Sequence, residues 1–205
     1  MTVEQALLDL GSALKQLHYN FTAITPESHR RILERETDAT TIRDVFGWNK
    51  AFAKEILPAA VFDKLQQTKA VIKKHDHYIS QIRFASLYND LYLHSGFPTL
   101  QQNAVFFGPD TYRYARLLHQ HIDGARRVVD IGCGSGAGGL CLHDRVDQIC
   151  LSDINPQALS YAAINAELAG VSKRVEILHS DVLGSVQGEV DLVISNPPYM
   201  VDDEE

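Results

Sequence analysis

Apolar residues recur at three- and four-residue spacing near the start of the chain. Ala6, Leu7, Leu10, Ala13, Leu14 and Leu17 form one stripe behind Thr2 and Gln5, a pair with capping-box spacing. This predicts a first amphipathic helix. Thr25-Pro26-Glu27 reads as a cap followed by proline at the first helical position, and predicts a second helix reaching about Glu36. Helical patterning returns over 41–52, and Pro58 opens a short fourth helix. Over 70–93 the texture changes: AVIKKHDHYISQIRFASLYNDLYL is rich in β-branched and aromatic residues, with turn formers at His75-Asp76 and Asn89-Asp90. Two or three short antiparallel strands are expected there. Helices followed by a small ribbon suggest a winged-helix-like layout, and HSGFPTLQQNA, 94–104, has the composition of a linker.

Beyond residue 105 the two periods alternate. Asp110 or Thr111 is expected to cap a helix carrying Tyr112, Ala115, Leu118 and Ile122. Then come a strand at 127–131, a helix at 136–143, a strand at 148–152, a helix at 155–169, and strands at 175–179 and 190–195. Such alternation predicts an α/β unit with a parallel sheet and helices on both faces, whose ligands bind beyond the carboxyl ends of the strands. The expected division is 1–105, mainly helical with an antiparallel ribbon, and 106–205, α/β.

Composition adds bounds. Of 205 residues, 45% are hydrophobic and 22% charged, which is ordinary globular material and sets aside disorder and collagen-like repeats. The start, MTVEQALLDL, lacks a signal-peptide core, and no stretch approaches the roughly 20 apolar residues of a membrane span. Three cysteines, Cys133, Cys141 and Cys150, show no CxxC spacing, so a reduced cytoplasmic protein without a zinc site is expected. The histidine pairs His75/His77 and His119/His121 have i,i+2 spacing, but 119 and 121 fall on a helical stripe and point apart, so no metal is expected. Net charge is −7, and it is unevenly divided: residues 106–205 hold 7 Lys/Arg against 15 Asp/Glu. An acidic half is a poor tracker of phosphates. The loose basic grouping Lys64, Lys69, Lys73 and Lys74 reads as a solvated face.

Three motifs carry chemistry. The strand RVVDIG runs into GCGSGAG, 132–138, whose glycines permit unusual torsions and close approach of a ligand to the backbone. Asp153 ends the next strand, where a carboxylate can accept both hydroxyls of a ribose. Gly132, Gly134 and Ala137 also satisfy the dinucleotide pattern GxGxxA, so this stretch alone indicates only a ribose-bearing cofactor. Asp181, in ILHSDVL, is either an adenine contact or a turn aspartate. SNPPYM, 195–200, ends the last apolar run with two prolines, which cannot donate to a sheet ladder and so make a stiff loop.

Taken in order, VVDIGCGSG, LSDINPQALSYAAINAELAG, HSDVL and SNPPYM resemble the class I S-adenosylmethionine-dependent methyltransferases. The closest resemblance is to the NPPY branch, which contains release-factor glutamine methyltransferases and adenine-N6 and guanine-N2 nucleic-acid methyltransferases. The resemblance covers about 106–205 and implies a Rossmann-like sheet. That sheet has seven strands in the family, so an incomplete one of the first four strands, from a C-terminally truncated chain, is expected here. It implies S-adenosyl-L-methionine as cofactor, held by Asp130, Gly132, Cys133, Gly134, Gly136, Asp153, Ile154, Asp181, Val182 and Asn196. It further implies catalysis by Asn196, Pro197, Pro198 and Tyr199. In that reading the Asn196 side-chain oxygen and the Pro197 carbonyl accept the N–H bonds of a planar amide or amino nitrogen, and Tyr199 stacks on it or packs on the sheet edge. Cys133 sits at a variable small position of the loop. The implied acceptor is protein glutamine or an exocyclic amine of an RNA or DNA base, with residues 1–105 as the substrate-recognition unit. Two rivals stand beside it: an NAD(P)-dependent oxidoreductase built on GxGxxA, and an inactive nucleic-acid-binding module. The oligomeric state is open.

Overall fold

Three consecutive residues of the strand β5 (Ala125–Ile131), Val128, Val129 and Asp130, are buried, as in a strand covered on both faces. In the computed structural model, which describes residues 1–35 and 38–197, β5 pairs in parallel with β6 (Val146–Asp153) on one side and β8 (Leu192–Ser195) on the other. The strand β7 (Val175–His179) completes a sheet of order β7-β6-β5-β8. Helices α5 (Pro109–His121), α6 (Ala137–Leu140) and α7 (Pro156–Leu168) connect and cover it. This is the parallel α/β sheet that the alternating periods predict, in the Rossmann-like form that the resemblance implies, and the four expected strands are all present.

Several boundaries differ, each for a local reason. Strand β8 starts at Leu192 rather than 190, because the Asp191 carboxylate accepts from the Arg127 amide at 2.8 Å and the Arg126 guanidinium at 3.1 Å. Helix α5 is not capped by Asp110 or Thr111. Its cap is Gly108, with Pro109 at the first position, and the Thr111 hydroxyl accepts from the Gly108 amide at 3.3 Å. The helix expected over 136–143 is regular only across α6.

The first half contains α1 (Val3–Gln16), α2 (Pro26–Glu34), α3 (Ile42–Phe46) and α4 (Ala59–Gln67). Thr2, Thr25 and Thr41 cap the first three through their hydroxyls. Helix α3 stops well short of residue 52: Gly47 ends it, and Asn49 adopts φ 61°. Four strands follow instead of two or three, as two hairpins, β1 (Val71–Lys74) with β2 (His77–Ser80) and β3 (Ile82–Leu87) with β4 (Asp90–Ser95). The first turns at His75-Asp76 as expected. The second turns one residue early, at Tyr88-Asn89, because Asp90 already pairs with Leu87 and its carboxylate meets the His143 ring at 3.1 Å.

The halves share their cores. One cluster joins Phe21, Ala85 and Tyr92 to Val128, Leu140 and Leu151, and the other joins Leu10, Phe46 and Phe84 to Ala158, Tyr161 and Ile164. Each fully buried large side chain contributes roughly 1.5–3 kcal/mol. The stretch 94–104 closes on itself: the Ser95 amide donates to the Val105 carbonyl at 3.0 Å, and the Val105 amide donates to the Ser95 hydroxyl at 2.8 Å. No helix among the described residues is long and apolar enough to cross a membrane.

Candidate functional site

Register places three strand ends side by side. Ile131 pairs with Ser152 of β6 and with Ser195 of β8. The residues that follow, Gly132, Asp153 and Asn196, therefore stand side by side at one level, Asp153 as the last residue of β6. The Cys133 amide donates to the Ser152 carbonyl at 3.0 Å, and the Ser195 hydroxyl donates to the Ile131 carbonyl at 3.0 Å, tying both neighbours to the glycine loop.

Within that loop Gly132 and Gly134 have φ +64° and +53°, and a β-carbon on either would meet nothing within 4 Å. Their torsions need glycine, and the space beside them is open to a ligand. Gly138 and Gly139 answer to packing instead. A β-carbon on Gly138 would lie 2.8 Å from an Asp130 oxygen and 2.9 Å from the Tyr114 ring; one on Gly139 would lie 2.6 Å from Leu151.

Asp153 accepts from the Gly134 amide at 2.9 Å on one oxygen and from the Asn155 amide at 2.9 Å on the other. Both bonds come from backbone, so the carboxylate is fixed while each oxygen keeps a lone pair for a further donor. Asp130 is buried and accepts from the Gly139 amide at 2.8 Å. Burial pushes its carboxyl up to about 7, against the lowering effect of the Gly139 bond; Asp153 nearby adds to the rise. A cation entering beside it would favour its ionised form.

These groups open on one cavity of about 960 Å³. Asp130, Gly132, Cys133, Gly134, Asp153, Asn196 and Pro197 line it. Gly136, Ile154, Asp181 and Val182 do not. Gly136, with φ +79°, starts α6, and a β-carbon there would meet Leu151 at 2.9 Å. Ile154, Asp181 and Val182 are exposed beyond β6 and β7, where the Val182 carbonyl accepts from the hydroxyls of Ser152 and Ser180. Pro198 and Tyr199 lie outside the described residues.

Sequence reasoning missed part of the wall. Ser135, Asn155 and Tyr114 belong to it, as do Pro26, Glu27 and Arg30 of α2 and the segment from Phe97 to Leu100. Ser135 and Asn155 lie inside the glycine-loop and ribose-acid motifs without having been singled out; no motif marks the other positions, although Pro26 was visible as a helix start. Residue His29 fixes α2 in place: its Nε2 lies 2.8 Å from the Trp48 carbonyl, and its ring stacks on Phe97 at 4.3 Å.

The three cysteines are free and buried. Burial raises the Cys133 thiol far above its ordinary range and pushes Cys141 up to about 12 and Cys150 up to about 11, so none presents a thiolate at neutral pH. Among the described residues no group of three or more His, Cys, Asp or Glu could hold a metal. His119 turns to the Cys141 carbonyl and His77 to Asp38.

Residues 98–205 match the methyltransferase small domain family, more than half of the chain. The chain belongs to that family. Among curated relatives, it is 36% identical over 85 residues to the release factor glutamine methyltransferase of Borreliella burgdorferi, which is 41% of this chain and 30% of the relative. It is 37% identical over 73 residues to the ribosomal RNA small subunit methyltransferase C of Pasteurella multocida, 36% of this chain and 22% of the relative. The chain thus spans under a third of either relative's length. Among solved structures it is similar to the T. thermophilus 16S rRNA N2 G1207 methyltransferase in complex with AdoMet and guanosine. There the sequences are 16% identical with a TM-score of 0.48, over 74% of this chain and 47% of that one. Membership of this methyltransferase family sets the methyl-transfer reading above the nicotinamide one.

Proposed function

We propose that the protein is an S-adenosylmethionine-dependent N-methyltransferase acting on a planar amide or amino nitrogen, with 106–205 as its cofactor-binding unit and 1–105 contributing recognition. One observation carries the reading: the open glycine loop, the fixed Asp153 carboxylate and the Asn196-Pro197 corner line the same cavity. The residues fit the cofactor. Gly132 and Gly134 leave the space a nucleoside-bearing ligand needs, Asp153 offers two oxygens to ribose hydroxyls, and Asp130 and Asp153 give the wall the negative charge that suits a cation. When bound, that cofactor supplies an electrophilic methyl group on a sulfonium.

The chain's own part is to hold the acceptor. An amide or ring-amine nitrogen is a poor nucleophile because its lone pair is delocalised, so the site must favour the less conjugated geometry of the transition state. The Asn196 side-chain oxygen and the Pro197 carbonyl accept the two N–H bonds of the target and aim its lone pair. Proline removes a competing donor and stiffens the corner, so the acceptors need not reorganise as charge develops. Pro198 and Tyr199 are proposed to extend this corner, Tyr199 by stacking on the flat group. The exposed Ile154, Asp181 and Val182 are proposed to form the adenine end.

Transfer of tritiated methyl to protein and RNA fractions tests the reading. Asn196→Ala is expected to lower transfer by about 100-fold or more, the scale for loss of one preorganised polar contact, with melting temperature unchanged and S-adenosylhomocysteine affinity falling far less than transfer. Undiminished transfer by this variant would remove Asn196 from catalysis.

A further inference from the structure

Residues 97–104 form a strap along the cavity, and 97–100 line it alongside Asp153 and Asn155. At the first foot of the strap the Gly96 amide donates to the Gln81 carbonyl at 2.8 Å, the Phe97 amide donates to the Asn49 side-chain oxygen, and the Phe97 ring stacks on His29. Further on, the Ala104 amide donates to the Gln101 carbonyl at 2.8 Å, a turn within the strap itself. Among the described residues no hydrogen bond reaches 98–102 from any other element.

The second foot is a closed ring of three hydrogen bonds. The Asn155 side chain donates to the Asn103 carbonyl at 3.0 Å, the Asn103 side chain donates to the Gln157 side-chain oxygen at 2.7 Å, and the Gln157 amide donates to the Asn155 side-chain oxygen at 3.0 Å. Asn155 caps α7, and its own amide donates to Asp153 at 2.9 Å. It thus meets the strap through its side chain and the carboxylate through its backbone. The ring also reaches inward. The Gln157 side chain donates to the Tyr161 hydroxyl at 2.7 Å, and that hydroxyl bonds to the side chain of Ser95, which accepts from the Val105 amide at the base of the strap. Water contests a bond between exposed side chains, so such a bond adds little to stability. Asn103 is exposed, and what its ring decides is where the strap sits.

We propose that Asn103 is a positioning residue for the cofactor: its ring with Asn155 and Gln157 holds the strap at the end of the cavity that Asp153 governs, so that bound cofactor leaves when this ring opens. This rests on the methyl-transfer reading above. Asn103 acts through other groups. It steadies Asp153 by way of Asn155, and it keeps 97–100 against the wall that Asp153 and Asn155 share. A ligand under such a cover is released at a rate set by the motion of the cover.

Surface plasmon resonance of S-adenosylhomocysteine on the immobilised full chain reads entry and release separately. Asn103→Ala and Gln157→Ala are each expected to speed release about tenfold, the scale of one lost hydrogen bond. Association is expected to be no slower than the parent's, and melting temperature to stay within about 2 °C of it. Because the bond between the two side chains is shared, the double variant is expected to match Gln157→Ala within about twofold. Unchanged release in the single variants, a double variant whose effect is the product of the two, or slower association at the parent's release rate would overturn the assignment. A fall in melting temperature beyond that range would mark the ring as merely structural and overturn it equally. Failure of the parent to bind S-adenosylhomocysteine would instead overturn the methyl-transfer reading itself.

Discussion

His29 sits between the Arg83 guanidinium, 3.4 Å away, and the Phe97 ring, and it is the one fully buried residue of α2. Burial first, and then the positive charge of Arg83, lower its pKa to about 4, against the bond to the Trp48 carbonyl. Its neutral form is therefore part of the folded state. The unfolded chain takes up this proton near pH 6.5, so the stabilisation is full above that pH and is lost as pH falls through about 4. His94 shifts in the same direction, while Asp130, raised to about 7, works in the opposite one: its contribution is lost as pH rises toward 7. Comparing His29→Gln with the parent at each pH cancels the contribution of Asp130, which His29 does not touch, and leaves His29 together with its small coupling to His94. The parent is expected to lose more stability than the variant between about pH 7 and pH 4.5, by roughly 5 °C in melting temperature. Parallel melting curves across that window would show that His29 is not held neutral.

At the scale of elements, α7 ties the hairpin of the first half to the glycine loop of the second. Asn165, 1% exposed, accepts from the Leu93 amide at 2.7 Å and donates to the Leu93 carbonyl at 3.1 Å and the Ser135 carbonyl at 2.8 Å. It thus satisfies the open edge of β4 and pins the loop that lines the cavity. Asn165→Ala would leave a buried amide and two carbonyls without partners, at about 1–3 kcal/mol for each unsatisfied group. The expected loss is roughly 3 kcal/mol, seen as a fall in melting temperature on the order of 10 °C. A change below about 2 °C would mean that the edge finds other partners. Nothing in the sequence marks Asn165 as different from other polar helix positions, because its value lies in contacts 30 and 72 residues away. By contrast β7 was legible to the residue, 175–179, since a short β-branched and apolar run bounded by polar residues leaves little freedom. Helix α3 misled because the apolar pattern continues past Gly47, whereas the backbone turns at Gly47 and Asn49.

Over the whole molecule, the parts of the site that belong to strand ends were readable, and those that depend on tertiary packing were not. Gly132, Gly134, Asp153 and Asn196 follow from where glycines, acids and prolines end apolar runs. Parallel pairing then sets them at one level, as the registers Ile131–Ser152 and Ile131–Ser195 make explicit. The wall formed by α2 and the 97–100 segment depends on how the first half folds over the sheet. That docking is carried by mixed clusters such as Phe84 and Leu10 with Ile164, which no local pattern announces. The account rests on Asp153 as the residue that holds a ribose beside an open glycine loop. Calorimetric titration of the parent and of Asp153→Ala with S-adenosylhomocysteine tests this most directly. Loss of charged hydrogen bonds worth about 1.5–3 kcal/mol each predicts at least a tenfold weaker affinity in the variant, and no competition from NADH in the parent. Equal affinity in the two proteins, or displacement by NADH, would contradict it.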